Sequence, residues 1–196
     1  MTLHAKMEKL LAQIGERCRD VDRKQGESFL GALVGAKRIF VCGAGRSGLV
    51  ARSFAMRLMH LGMQVYVVGE TTTPAVEKGD LFVCISGSGR TTSIVAIAKV
   101  AKDKGVSVAA ITSHLDSPIG TLADCAVRIK GRKVEEEKEK RDYNARQLTG
   151  EHEPVSPLGT IFELSSMMFL DSVISELMER INRSEEHMKK LHNNLE

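Results

Sequence analysis

Leu81-Phe-Val-Cys-Ile-Ser86-Gly-Ser-Gly-Arg-Thr91-Thr-Ser93 is the stretch on which the fold turns. Five apolar residues run directly into a turn of glycines and hydroxyl-bearing residues, and helical texture follows from Ile94. A run that is apolar on both faces suits a strand buried in a parallel sheet. The turn carries five hydroxyl residues (Ser86, Ser88, Thr91, Thr92, Ser93) and two glycines. That composition, where a strand becomes a helix, suits a phosphate monoester. Glycine lets backbone N–H groups approach the anion, hydroxyls donate to its oxygens, and a helix N-terminus adds unpaired amides and partial positive charge. A plain helix cap would need only one of those hydroxyls.

The same strand-to-helix alternation extends in both directions. Arg38–Cys42, Gln64–Val68 and Val106–Ile111 are further apolar runs of strand length, and Ala126–Ile129 is a weaker one. Helical segments are predicted over 48–62, 92–104 and 118–123. This is the pattern of an α/β chain: a doubly wound, five-stranded parallel sheet of flavodoxin-like order, flanked by helices and joined by right-handed crossovers. Residues 3–19 predict an amphipathic helix, with Leu3, Met7, Leu10, Leu11 and Ile14 at helical spacing, and a second short helix holds Phe29, Leu30, Leu33 and Val34. After Pro157, Thr160 is placed to cap a long helix reaching Ile181. Its apolar positions exceed one stripe, so one face is expected on the sheet and another on a partner subunit. A last short helix runs from Ser184 to Lys190. The chain reads as a single domain, 1–196, with helices 3–36 and 160–190 as oligomerisation elements. Residues 133–142 are charged except at Val134 and read as a solvated loop.

Composition narrows the function. There are 196 residues, room for one generous α/β domain. The net charge of +3 argues weakly for nucleic acid, and 4% aromatic residues with no Trp suit a base-stacking protein poorly. No apolar run approaches the roughly 18–20 residues of a bilayer span. No leader is legible at the N-terminus, and Cys18, Cys42, Cys84 and Cys125 form no C-x-x-C pair. A cytoplasmic protein with reduced thiols is expected.

A second glycine turn offers a rival function. Gly43-Ala-Gly45-Arg-Ser-Gly48 follows the first strand, and Glu70 follows the second strand about twenty residues beyond the turn's last glycine, as in the dinucleotide fingerprint. The chain, however, has no room for a separate catalytic domain, and a dinucleotide leaves the Ser86–Ser93 turn unused. A small phosphorylated molecule held between both turns uses both. Arg46 and Ser47 come from the first turn; Ser86, Gly87, Ser88 and Thr91 come from the second.

Together the two turns resemble the sugar isomerase (SIS) domain, which binds phosphosugars. The blocks Phe54–Gly62, Val68–Pro74, Ile85–Thr91 and Pro157–Glu163 are similar, in order, to those of the 6-phospho-3-hexuloisomerase family. Leu158 replaces the usual Met, the charged stretch over 133–153 is longer, and Leu191 replaces an Arg in the His192-Asn-Asn-Leu-Glu196 ending. The resemblance implies interconversion of 3-hexulose 6-phosphate and fructose 6-phosphate, by a tetramer with no metal and no organic cofactor. It also implies a place in the ribulose monophosphate pathway, serving formaldehyde fixation or pentose phosphate supply. A non-catalytic phosphosugar sensor and an aldose–ketose phosphate isomerase are the competing readings. Sensors of this fold usually carry a DNA-binding domain, and residues 1–37 hold no evident helix-turn-helix.

The chemistry needs a general base, a donor near the developing oxyanion and a hold on the phosphate. By spacing alone Glu163 reads first as a capping-box acid paired with Thr160; its match to the family's Phe-Glu pair makes it the expected base. Glu153 is a rival. His60 is the expected proton shuttle between oxygens, or the group that opens a cyclic ketose, although a lone histidine there is ordinarily a surface or capping group. It lies far from the carboxyl edge of its own sheet, so it would serve a neighbouring subunit's site, and so would His192. Glu70, with Thr72 and Thr73, is expected to line the sugar hydroxyls.

Overall fold

The computed structural model describes residues 1–131 and 159–195. The charged run 133–142 and the rival base Glu153 lie outside them. The described elements are α1 (Leu3–Arg19), α2 (Arg23–Gly35), β1 (Ile39–Gly43), α3 (Gly45–His60), β2 (Val65–Val67), β3 (Leu81–Ile85), α4 (Thr92–Asp103), β4 (Ser107–Thr112), α5 (Pro118–Leu122), β5 (Cys125–Arg128), α6 (Thr160–Arg180) and α7 (Glu185–Lys190). The five strands form one parallel sheet in the order β2-β1-β3-β4-β5. That is the doubly wound, flavodoxin-like order expected from the alternation.

Alternating residues of each strand serve two cores. Ile39, Val41, Val83, Ile85, Ile111 and Val127 meet Phe29, Leu33, Phe54 and Leu58 on one face. Phe40, Phe82, Val108 and Ala110 meet Ile94, Ala98 and Ile119 on the other. The helices thus lie on both faces, with α3 on one and α4 and α5 on the other. The central strands β1 and β3 are bare of polar side chains because neither face reaches water. At the opposite sheet edge Arg38 grips the buried Asp80 with two bonds, Nε–Oδ1 3.0 Å and Nη2–Oδ2 2.6 Å. Burial works to raise that carboxyl's pKa, but Arg38 and the Glu77 amide outweigh it and hold it below the ordinary carboxylate value.

Two expectations need correction. The long helix is capped by Gly159, and Thr160 is already its first helical residue. And α6 packs chiefly on α3 and α1, with α2 beside them, rather than on the sheet. Two small polar side chains of α6, Ser165 and Ser166, are fully buried. α6 therefore covers α3 and α1 packs on α6, and Leu3, Met7, Leu11 and Met168 remain exposed on these two helices.

Candidate active site at the sheet switch point

The strand order reverses between β1 and β3, where a doubly wound sheet opens a crevice at its carboxyl edge. Both glycine turns leave the sheet there. In the second turn Ser86 is buried, and its amide donates to the carbonyl of Ile111 at 3.0 Å. Thr91 is the N-cap of α4, but its hydroxyl makes no capping bond. It lies 3.2 Å from the Ser86 hydroxyl instead. The Arg90 amide donates to Ser88 Oγ at 3.2 Å. The amides of Gly87 and Ser88 have no partner among the described residues. Unmet donors and paired hydroxyls at a helix N-terminus are what an anion needs.

Gly43 and Gly48 of the first turn serve packing, and Gly45 takes a left-handed backbone angle, φ +56°. A Cβ on Gly43 would stand 2.7 Å from the Ser47 carbonyl oxygen, and one on Gly48 would stand 2.7 Å from that of Gly43. Strand and helix backbones touch at this point, which explains the fingerprint spacing without a dinucleotide. Arg46 and half-buried Ser47 follow on the first turn of α3.

The first turn of α6 closes the group. The Phe162 ring lies on Gly87, where a Cβ would come within 3.0 Å of it. This contact seats α6 over the second turn. The next residue, Glu163, has a largely buried carboxylate (12% exposed) that is ion-paired with Arg46 across the crevice. A capping box with Thr160 as the cap does not form, because Gly159 is the N-cap and Thr160 already lies inside the helix. Thus Arg46, Glu163, Ser86, Gly87, Ser88 and Thr91 gather at the switch point, with Ser47 on the same first turn as Arg46.

The remaining expected residues lie elsewhere. Glu70 follows β2 and pairs with Arg52 of α3, both side chains being about half exposed. Beside it the Thr73 hydroxyl donates to the Val67 carbonyl at 2.8 Å. His60 ends α3, fourteen residues past Arg46, or roughly 21 Å along the helix at 1.5 Å per residue. It is not a surface group. It is buried, 3% exposed, and its ring stacks on His192 with centroids 5.1 Å apart. Burial first, then His192 and Arg57, push its pKa below the ordinary histidine value. The chain does not bring this histidine pair to its own Glu163.

Sequence reasoning missed Phe162, Thr112, Ser113 and Ser117. Thr112 and Ser117 are fully buried beneath the second turn. Their signal was the hydroxyl-rich stretch Thr112-Ser113-His114-Leu115-Asp116-Ser117 after the fourth strand. No cluster of three or more His, Cys, Asp or Glu suited to a metal occurs among the described residues.

Residues 32–140 match the sequence profile of the SIS domain. The 3-hexulose-6-phosphate isomerase of Methylomonas aminofaciens is 42% identical over 170 residues, which covers 87% of this chain and 87% of that protein. The enzyme of the same name from Bacillus subtilis is 36% identical over 187 residues, 95% of each chain. A crystal structure from Methanococcus jannaschii, for which a function of 3-hexulose-6-phosphate isomerase is inferred, superposes with a TM-score of 0.80 at 36% identity and covers 98% of this chain and 99% of its own.

Proposed function

The chain belongs to the SIS-domain family of 3-hexulose-6-phosphate isomerases, and we infer from this that it interconverts D-arabino-hex-3-ulose 6-phosphate and D-fructose 6-phosphate. The observation that carries the reading is the gathering of Glu163, Arg46 and the open amides of Gly87 and Ser88 at one sheet edge. It supplies a carboxylate and an anion hold in a single crevice, as an isomerase of phosphosugars requires.

The second turn, with Ser86, Ser88, Thr91 and the amides, takes the phosphate. Glu163 takes the proton from the carbon next to the ketone, C2 of the 3-ketose or C3 of fructose 6-phosphate. A 2,3-enediol results, and Glu163 returns the proton to the adjacent carbon. One base on one face of the sugar can serve both carbons, because they are bonded neighbours. Arg46 holds the carboxylate in place and stands beside the oxygens where charge develops. The transfer between O2 and O3 falls to a histidine. In this chain His60 is remote from Glu163, so a neighbouring subunit's His60 and His192 fit the role. Glu70 is read as a contact to the sugar hydroxyls.

That reading makes the enzyme an oligomer, a tetramer by family resemblance. The exposed stripe Leu3, Met7, Leu11 on α1, at spacing of one turn, and Met168 on α6 support a subunit contact through the N- and C-terminal helices. Four unpaired thiols fit a cytoplasmic enzyme, and the reaction fits the ribulose monophosphate route. The test is direct. Purified protein in chelator-treated buffer is mixed with fructose 6-phosphate, and carbon NMR follows the ketone. Appearance of a C3 carbonyl is expected; binding without turnover would instead indicate a sensor.

A further inference from the structure

We propose that Thr112 and Ser117, at the end of β4 and the cap of α5, are positioning residues that aim the phosphate-binding amides of the Ser86–Thr91 turn. The inference rests on the phosphosugar reading of that turn. Neither residue lies within the turn, and both are fully buried.

The turn lies against these two side chains. Gly89 is buried with φ +61°, and a Cβ there would collide with the Ser117 hydroxyl and stand 2.9 Å from Thr112 Oγ1. Only glycine fits both the backbone angle and the space. Three carbonyls of the turn are engaged by hydrogen bonds. That of Gly87 accepts from the Ser113 amide at 3.0 Å and from the Thr112 hydroxyl at 3.4 Å. That of Gly89 accepts from the Ile119 amide at 3.1 Å, and that of Ser86 accepts from the Gly89 amide at 3.0 Å. Ser117 Oγ in turn donates to the His114 carbonyl at 2.6 Å and accepts from the Gly120 amide at 3.2 Å. The His114 amide donates to Thr112 Oγ1 at 3.3 Å.

Peptide planarity turns this engagement into function. In a trans peptide the carbonyl of one residue and the N–H of the next point in opposite directions. Holding the Gly87 carbonyl down on Ser113 and Thr112 therefore aims the Ser88 N–H the other way. Tying the Ser86 carbonyl to the Gly89 amide does the same for the Gly87 N–H. These are the two amides without a partner among the described residues. The Thr112 hydroxyl secures the Gly87 carbonyl, and Ser117 is the spacer that sets how closely Gly89 approaches.

The test compares Thr112→Val, Thr112→Ser and Ser117→Ala with the wild type. The readings are kcat, KM for fructose 6-phosphate, the inhibition constant of inorganic phosphate, and Tm. For Thr112→Val both KM and the phosphate constant should rise about tenfold while kcat stays within about twofold, the size expected for one lost orienting hydrogen bond. Thr112→Ser keeps the hydroxyl and should restore both constants, whatever its Tm. Ser117→Ala should raise the same two constants, and it decides the matter if Thr112→Val does not fold. Unchanged KM and phosphate inhibition, with only a lower Tm, would overturn the proposal and leave these residues as plain fold support. Wild-type protein that neither turns over the sugar nor is inhibited by phosphate would overturn the phosphosugar reading itself, and this proposal with it.

Discussion

Glu163 and Arg46 stand 117 positions apart in sequence and meet across the crevice. If Glu163 moves the proton, Glu163→Gln should lower kcat by about 10²- to 10⁴-fold with KM little changed, the range typical of a positioned acid–base group. A steady-state assay checks this, and full turnover by the variant would dismiss the assignment. His60 carries a separate expectation. Its pKa is lowered in the fold, so the unfolded chain binds its proton more readily than the folded one. Stability should therefore fall as pH drops from the ordinary histidine value of about 6.5 toward the lowered one, then level off. Denaturant unfolding across that range, compared with His60→Asn, isolates the contribution. An identical pH slope in the two proteins would show that His60 does not titrate this way.

Elements meet at points where one atom too many cannot be placed. Gly43 at the end of β1 and Gly48 in α3 bring backbones into contact. Gly43→Ala should cost about 3 kcal/mol, because the obstacle is main chain and cannot swing aside. Chemical denaturation measures the loss. The exit from β5 is fastened differently. Gln25 Oε1 accepts from the Arg128 amide, Lys130 pairs with Asp20, and the buried Arg17 donates from Nε to the Gly131 carbonyl at 2.9 Å. Gly131 in turn lies against Ser113 and Phe162, which both press on Gly87. Arg17→Met keeps the bulk but not the donor, and about 1–3 kcal/mol of stability should be lost in the same measurement.

At the scale of the whole molecule, the distance between Glu163 and the His60–His192 pair makes assembly the central question. If neighbouring subunits complete the site, Glu163→Gln and His60→Asn chains co-expressed in one cell should form mixed oligomers that regain activity absent from either alone. No gain on mixing, with mixed oligomers present, would place the whole reaction within one chain. Leu11→Glu should shift the protein to a smaller species in size-exclusion chromatography coupled to light scattering, since it puts charge in the exposed apolar stripe of α1.

Much of this fold could be read locally. Strand runs apolar on both faces, helices between them, and turns rich in Gly and Ser are signals carried by a few consecutive residues, and they were enough to place five strands in the right order. The hydroxyls and glycines of Ser86–Thr91 marked, for the same reason, the turn proposed to hold the phosphate. Tertiary structure decided what depends on meetings between distant segments. It gave the Glu163 carboxylate to Arg46 rather than to a helix cap, and it laid α6 on α3 and α1 rather than on the sheet. It buried His60 against His192, and it set Thr112 and Ser117 beneath the turn. None of these has a local pattern, because a side chain's partner is chosen by which surfaces the folded sheet and helices bring within a few ångströms.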